Sequence, residues 1–406
     1  MTTVDAQSET AQSDLPPETE AVRGSPMARL APGADNPWVG RLIFVAFAVG
    51  LWLLPVIVTD PTRVREWAQY LCYAMIAVGV DIVWGYGGML ALGQGVFFGL
   101  GAYCMGMYLT LENVPAGSKL PSFMSLYGNY HALPWLWRPF QNFWVAAALS
   151  VLVPIVAAAL LGLLVFRRRV RGPYFALLTQ ATALVFSLIL IGNLPLTAGF
   201  NGLTGFNQIF GRSKYEADTN EWLYHISAIG LMVVVGVALW IVHSRYGKLL
   251  VATRDSEDRV RFLGYDPALV KTVAFAISAG MAGLAGAFAA PVIGIVAPNQ
   301  FTVLPSILMV CWVAVGGRGT LWGAVVGALL INWGGTRVSE ARPDDWTYIQ
   351  GLVFVVVLAW APGGLMGLGR SVLNKVRQLS DRSPKDSGAA VSAPTPTALD
   401  GLEPAQ

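Results

Sequence analysis

The chain has 406 residues, of which 55% are hydrophobic and only 13% charged, with a formal net charge of +3 at neutral pH. An average soluble protein is about 25% charged, so most of this surface must face lipid rather than water. The small net charge gives no electrostatic support to nucleic-acid binding. The three cysteines (Cys72, Cys104, Cys311) and three histidines (His131, His225, His243) are scattered without metal-ligand spacing, which argues against a zinc or haem site.

Residues 1–36 are polar, acidic and rich in Pro, Ser, Thr and Ala. Such a segment cannot bury enough apolar surface to fold alone and reads as a disordered tail. It lacks the basic start and short apolar core of a signal peptide. About ten apolar runs follow, at 41–58, 67–84, 90–109, 143–166, 172–191, 223–243, 272–293, 299–315, 321–334 and 346–362. A hydrocarbon core about 30 Å thick takes about 20 helical residues. The expected fold is therefore an all-α, polytopic transmembrane bundle of about ten membrane-embedded helices over 37–370, with a second polar tail at 371–406. The pair around 299–334 reads either as two short helices or as a re-entrant element. Small residues four apart (Gly95 and Gly99, Ala282 and Gly286, Gly323 and Gly327) suit close helix packing in lipid.

Along the chain, Asp81 is the first candidate. An acid inside a span is a functional suspect, but near the end of its helix it can equally bond backbone, so structural and path roles both stay open. The run from Trp84 through Gly85, Tyr86, Gly87 and Gly88 to Gln94 is too glycine-rich to stay helical. Unwound backbone at membrane depth is tolerated where it is buried in protein or lines a polar cavity, and transporters use such breaks to meet solutes. Trp84, Gly85, Tyr86, Gly88 and Gln94 are thus path candidates. The alternative is a tight turn with Gln94 bonded to a neighbour. Thr179 and Gln180 lie on a later span, and Asn201 in the loop beyond; they are further path candidates, although Thr179 can bond back to a helix carbonyl instead.

The segment from Ser244 to Pro267 alternates charges with Val260, Phe262, Leu263 and Tyr265. Asp255 and Glu257 precede Arg259 and Arg261 by four, which supports a helix, and Gly264 stops it. An exposed helix with apolar residues among charges reads as a docking surface, with Arg254, Glu257, Arg259, Val260, Phe262, Leu263 and Gly264 as its candidates. Basic clusters at 167–171, 245–271 and 370–385 fall on one side if all the runs cross. By the positive-inside bias that side is cytoplasmic, with both termini on it and the loops 110–142 and 192–222 outside. No phosphate-binding loop with a Gly-Lys-Ser/Thr end is present, nor a Ser/His/Asp set or an H-E-x-x-H run, so no catalytic residue is assigned. An enzyme finds no residue set here.

These residues resemble the ABC importer permeases of the branched-chain amino acid and urea group, from about 40 to 370. The resemblance rests on the glycine-rich stretch with Phe97-Phe98-Gly99-Leu100-Gly101-Ala102-Tyr103, on Gly172-Pro173-Tyr174-Phe175, on Asn201-Gly202-Leu203-Thr204 and on the Arg254–Gly264 segment. Ala282-Gly283-Leu284-Ala285-Gly286 and Val315-Gly316-Gly317-Arg318-Gly319-Thr320-Leu321 complete it. Asp81-Ile82-Val83-Trp84-Gly85-Tyr86 and Val260-Arg261-Phe262-Leu263-Gly264-Tyr265-Asp266-Pro267 look most like the urea-type subunit. Gln94 departs from it, standing where related permeases often carry His. The resemblance implies a multi-pass protein of the bacterial inner membrane. It also implies a second homologous permease, two cytoplasmic ATPase subunits that dock near Arg254–Gly264 and consume the ATP, and an external solute-binding protein. The chain itself then carries no cofactor. Urea is the expected solute and a branched-chain or other amino acid the alternative; a stand-alone channel or secondary carrier is the reading from a different class.

Overall fold

Where the apolar runs begin is set by short polar caps. Asp60 accepts a hydrogen bond from Thr62 N at 2.9 Å, and Pro61 occupies the first turn of the helix that follows. Asn142 caps Trp144 N in the same way, and Asp266 caps Ala268 N ahead of Pro267. The computed structural model describes residues 37–343, except 59, 116, 117, 119, 129, 169, 171 and 215, and scattered residues from 345 to 367. The polar tails and most of the expected run at 346–362 lie outside the described residues.

The elements in chain order are α1 (Pro37–Ile57), α2 (Pro61–Asp81), a π-helical turn (Ile82–Tyr86), α3 (Gln94–Glu112), α4 (Ser122–Gly128), α5 (Phe143–Arg167), α6 (Pro173–Gly192) and α7 (Leu194–Thr197). A small antiparallel hairpin follows, β1 (Gln208–Ile209) and β2 (Arg212–Ser213), with Gln208 opposite Ser213. Then come α8 (Ala217–His243), α9 (Arg245–Asp255), α10 (Glu257–Phe262), α11 (Pro267–Ile293), α12 (Val303–Gly316) and α13 (Leu321–Ala341). The protein is a polytopic helical membrane bundle. Among the described residues, five helices are each long and apolar enough to cross a bilayer: Pro61–Tyr86, α5, α6, α8 and α11. Burial sorts them. The apolar windows of α2 and α11 are 83% and 78% buried, against 33% for α5 and α6 and 44% for α8. The first two form the centre, and the others turn an apolar face outward.

The expected pair around 299–334 resolves into unequal parts. α12 and α13 meet at 117°. The 14 residues of α12 span about 21 Å, too little for a core about 30 Å thick. The 21 residues of α13 span about 31 Å, enough to cross. α12 begins inside the bundle, where Ser306 Oγ accepts from Gly95 N at 3.2 Å. α3 begins there too, because Gln94 bonds Ser278, well inside α11.

This creates two matching motifs of opposite direction. Arg65 Nε, in the first turns of α2, donates to Val292 O at the end of α11, so these central helices run antiparallel. Each is followed by an irregular stretch, 87–93 and 294–302, that turns back into the bundle and starts a second helix there. The two motifs enter from opposite ends and meet at Gly95 and Ser306. Inverted pairs of broken helices are a transporter arrangement. The centre closes on backbone contact. A Cβ on Gly101 would lie 2.0 Å from Gly283 O, and one on Gly283 would lie 2.4 Å from Ser150 O, so α3, α5 and α11 touch where side chains are missing. At one end the hairpin is clipped to α3, since Asn113 Oδ1 accepts from Asn207 N and Gln208 N. At the same end Arg63 pairs with Glu340 of α13.

Candidate functional site

The other end of the bundle holds most of the residues singled out in the sequence. α2 widens into the π-turn at Ile82–Tyr86 and stops at Gly87, whose N–H donates to Ile82 O at 3.0 Å. A π-turn inside a helix is uncommon and often marks a functional position. It leaves the last carbonyls of the helix short of intrahelical donors. Trp84 O accepts from Gly88 N at 3.1 Å and from Arg318 Nε at 3.2 Å. Gly85 O accepts from Arg254 Nη1 at 2.8 Å. The Arg318 guanidinium also lies 5.0 Å from the Trp84 ring centroid. Two arginines from different elements therefore cap the negative end of α2. Asp81 is fully buried beside them; Oδ1 accepts from Gly319 N at 2.7 Å, while Oδ2 has no hydrogen-bond partner among the described residues.

From Gly88 the chain climbs into the bundle. Leu92 N donates to Thr179 Oγ1 at 3.1 Å, and that hydroxyl donates to Ala176 O at 2.9 Å. Gln94 is buried; its Nε2 donates to Ser278 Oγ at 2.9 Å, and its Oε1 has no partner among the described residues. Trp84 is half-buried, Gly85 and Tyr86 are buried, and Gly88 is exposed. A cavity of about 640 Å³ opens beside this segment, lined by Gly87, Gly88, Leu92, Phe175, Arg254 and Lys271 among others. Gln180 is half-buried on α6, whose outer face carries Tyr174, Leu177, Leu184 and Leu188. The structure thus brings Trp84 through Gln94 together with Asp81 and Thr179. It leaves Asn201 apart, exposed beyond the far end of α6.

The expected docking helix divides into α9 and α10. Ser256 is extended, with φ −159°, so Asp255 does not continue into the helix of Arg259. It pairs with Arg254 instead, whereas Glu257 lies 4.0 Å from Arg261 as the spacing expects. Gly264, with φ +85°, ends α10, and Tyr265 N returns to Val260 O at 3.2 Å. The candidate residues face two ways. Phe262 is 92% exposed, Leu263 is 73% exposed, and Arg259 and Gly264 are exposed with them. Val260 is buried, and Arg254 turns inward onto Gly85. Tyr246 Oη donates to Val270 O at 2.8 Å, and burial holds its phenol above the ordinary range, so it stays a neutral donor fixing α9 to α11. Glu257 pairs with Lys271 of α11.

Residues 67–358 match the family described as "Branched-chain amino acid transport system / permease component". The chain belongs to this family. The permease is 27% identical to the "High-affinity branched-chain amino acid transport system permease protein LivM" of Salmonella typhimurium, over 85% of this chain and 79% of the relative's. It is 23% identical to the corresponding BraD of Pseudomonas aeruginosa, over 75% and 94%. It is also 30% identical to the "Autoinducer 2 import system permease protein LsrC" of Escherichia coli O157:H7, over 53% and 64%. No solved structure matches the permease.

The permease also holds residues to which no local sequence pattern gives a role. Arg318 stands in a Gly-Gly-Arg-Gly run that contributes to the resemblance but by itself points to no contact. Ser278 and Ser306 look like ordinary small helix residues. Their roles arise because α11 and α12 pass beside the glycine-rich stretch, a crossing that is absent from the pattern of either helix.

Proposed function

We propose that the permease is one of two transmembrane subunits of an ATP-driven importer, and that its solute is an amino acid with an apolar side chain. The observation that carries this reading is similarity along 85% of the chain to a permease whose name specifies branched-chain amino acid transport. Urea, which the sequence motifs put first, has no such support among these relatives. The exposed Phe262 and Leu263 on α10 supply the contact for a cytoplasmic ATPase. The partners are then a second permease, two ATPases and an external solute-binding protein. On this reading the end with Asp81, Arg254 and Arg318 faces the cytoplasm, together with both termini, and Asn201 faces outward.

The solute path runs between the two permeases, along the outward face of α6, with half-buried Gln180 at the edge of that face. Asp81, Gln94 and Thr179 each make a bond within this chain, so they hold the broken segment in shape while Trp84, Gly88 and the neighbouring cavity meet the solute near its exit. Uptake of labelled leucine and labelled urea by cells lacking this chain tests the assignment. Leucine uptake at low concentration is expected to fall to background and to return on complementation, with urea uptake unchanged. Loss of urea uptake alone would restore the urea reading. Loss of neither would overturn both solute assignments, and solute movement by the purified chain without ATPases would overturn the importer reading.

A further inference from the structure

Arg254 sits in the last turn of α9, two residues before the chain breaks at Ser256 and α10 begins. Its side chain does not join the exposed surface of Phe262 and Leu263. It crosses to another element, where Nη1 donates to Gly85 O at 2.8 Å. The stem lies over Gly88, where a Cβ would sit 2.5 Å from Arg254 Cγ and the backbone has φ +70°. On its other side Nε meets Asp255 Oδ1 at 3.0 Å. The guanidinium is therefore shared between the turn into α10 and the broken end of α2.

Gly85 lies in the π-turn that leads into the irregular segment 87–93, Gly88 lies within that segment, and its later residue Leu92 is bonded to Thr179 of α6. A continuous path thus runs from the α9–α10 turn through Arg254, which bonds Gly85 O in the π-turn and packs its stem over Gly88, along the segment 87–93 to α6. α9 and α10 are fixed to α11 by Tyr246 and Glu257, so a push on α10 moves a joined unit, and Arg254 carries that movement across to the α2 end. We infer that Arg254 is a positioning residue for transport, linking movement of the α9–α10 element to the glycine-rich segment and α6. This rests on the reading of the chain as an ATP-driven permease. A physical coupling claim needs an element that both sites bias; here it is the segment 87–93, held from one side by Arg254 and from the other by Thr179.

The experiment uses the complete importer in proteoliposomes, with both permeases, its ATPases and the solute-binding protein supplied on the outer side. It measures labelled leucine imported per ATP hydrolysed. If the wild-type complex shows no ATP-dependent import, the functional reading fails and Arg254 is not at issue. Given that import, Arg254→Ala is expected to co-purify with its ATPases and to import several-fold less solute per ATP. Arg254→Lys keeps the charge but loses the forked donors that reach Gly85 and Asp255 together, and should fall between the two. A purely structural cap would lower the yield or melting midpoint of the variants and leave the ratio unchanged. An unchanged ratio in both variants overturns the inference, as does loss of the ATPases from the purified complex, which would make Arg254 part of the docking surface. If Arg254→Ala does not accumulate in the membrane, the ratio for Arg254→Lys decides.

Discussion

Asp81 and Gly85 show how little freedom a single position has at the broken end of α2. A Cβ on Gly85 would lie 2.2 Å from Asp81 Oδ1 and 2.6 Å from Gly319 N. Gly85→Ala should therefore cost about 1–3 kcal/mol through overpacking. Asp81→Ala removes the acceptor of Gly319 N and leaves a buried N–H unpaired, at about 1–3 kcal/mol. Both substitutions should lower the melting midpoint of the detergent-purified protein. Because they break one contact, the double variant should lose less than the sum of the singles; strict additivity would show that the two residues do not share a joint. Sequence alone marked Asp81 as a buried acid with two open roles. Its partner lies 238 positions away on another turn, and no spacing could reveal it.

The docking element shows both sides of pattern reading at the next scale. Charges of both signs around Phe262 and Leu263, with a stop at Gly264, made α10 legible, and the structure puts both apolar side chains in the open. The break at Ser256 was not legible, since serine is tolerated within a helix and the four-residue charge spacing continued across it. That break separates inward-turned Arg254 from outward-turned Phe262. Since Phe262 is 92% exposed, Phe262→Asp should leave folding and membrane insertion within the small range of surface substitutions and abolish co-purification with the ATPases. Unchanged co-purification would refute docking through α10. Packing elements carry the opposite expectation. Even the first side-chain carbon at position 283 would lie only 2.4 Å from Ser150 O, and Gly283→Val adds two methyl groups beyond it. That substitution should reduce the yield of folded protein recovered from membranes, as read by fluorescence-detected size exclusion.

For the molecule as a whole, sidedness is the testable consequence. Cys72, Cys104 and Cys311 are free and buried, so background labelling by a membrane-impermeant thiol reagent should be low. Asn201→Cys should label in intact cells, and Phe262→Cys only after the membrane is opened; the reverse pattern would invert the proposed topology. Composition and run length by themselves determined that this chain is a helical membrane bundle, because lipid cannot satisfy a charged surface or an unpaired backbone. Glycine density at 85–95 also determined that a helix breaks there. Only the tertiary structure decided where the break leads. Two antiparallel central helices, α2 and α11, bring their broken ends into the bundle from opposite sides. Arg254 and Arg318 reach the carbonyls that α2 leaves open, since contacts between elements far apart in sequence depend on how helices cross and not on the pattern within any one of them.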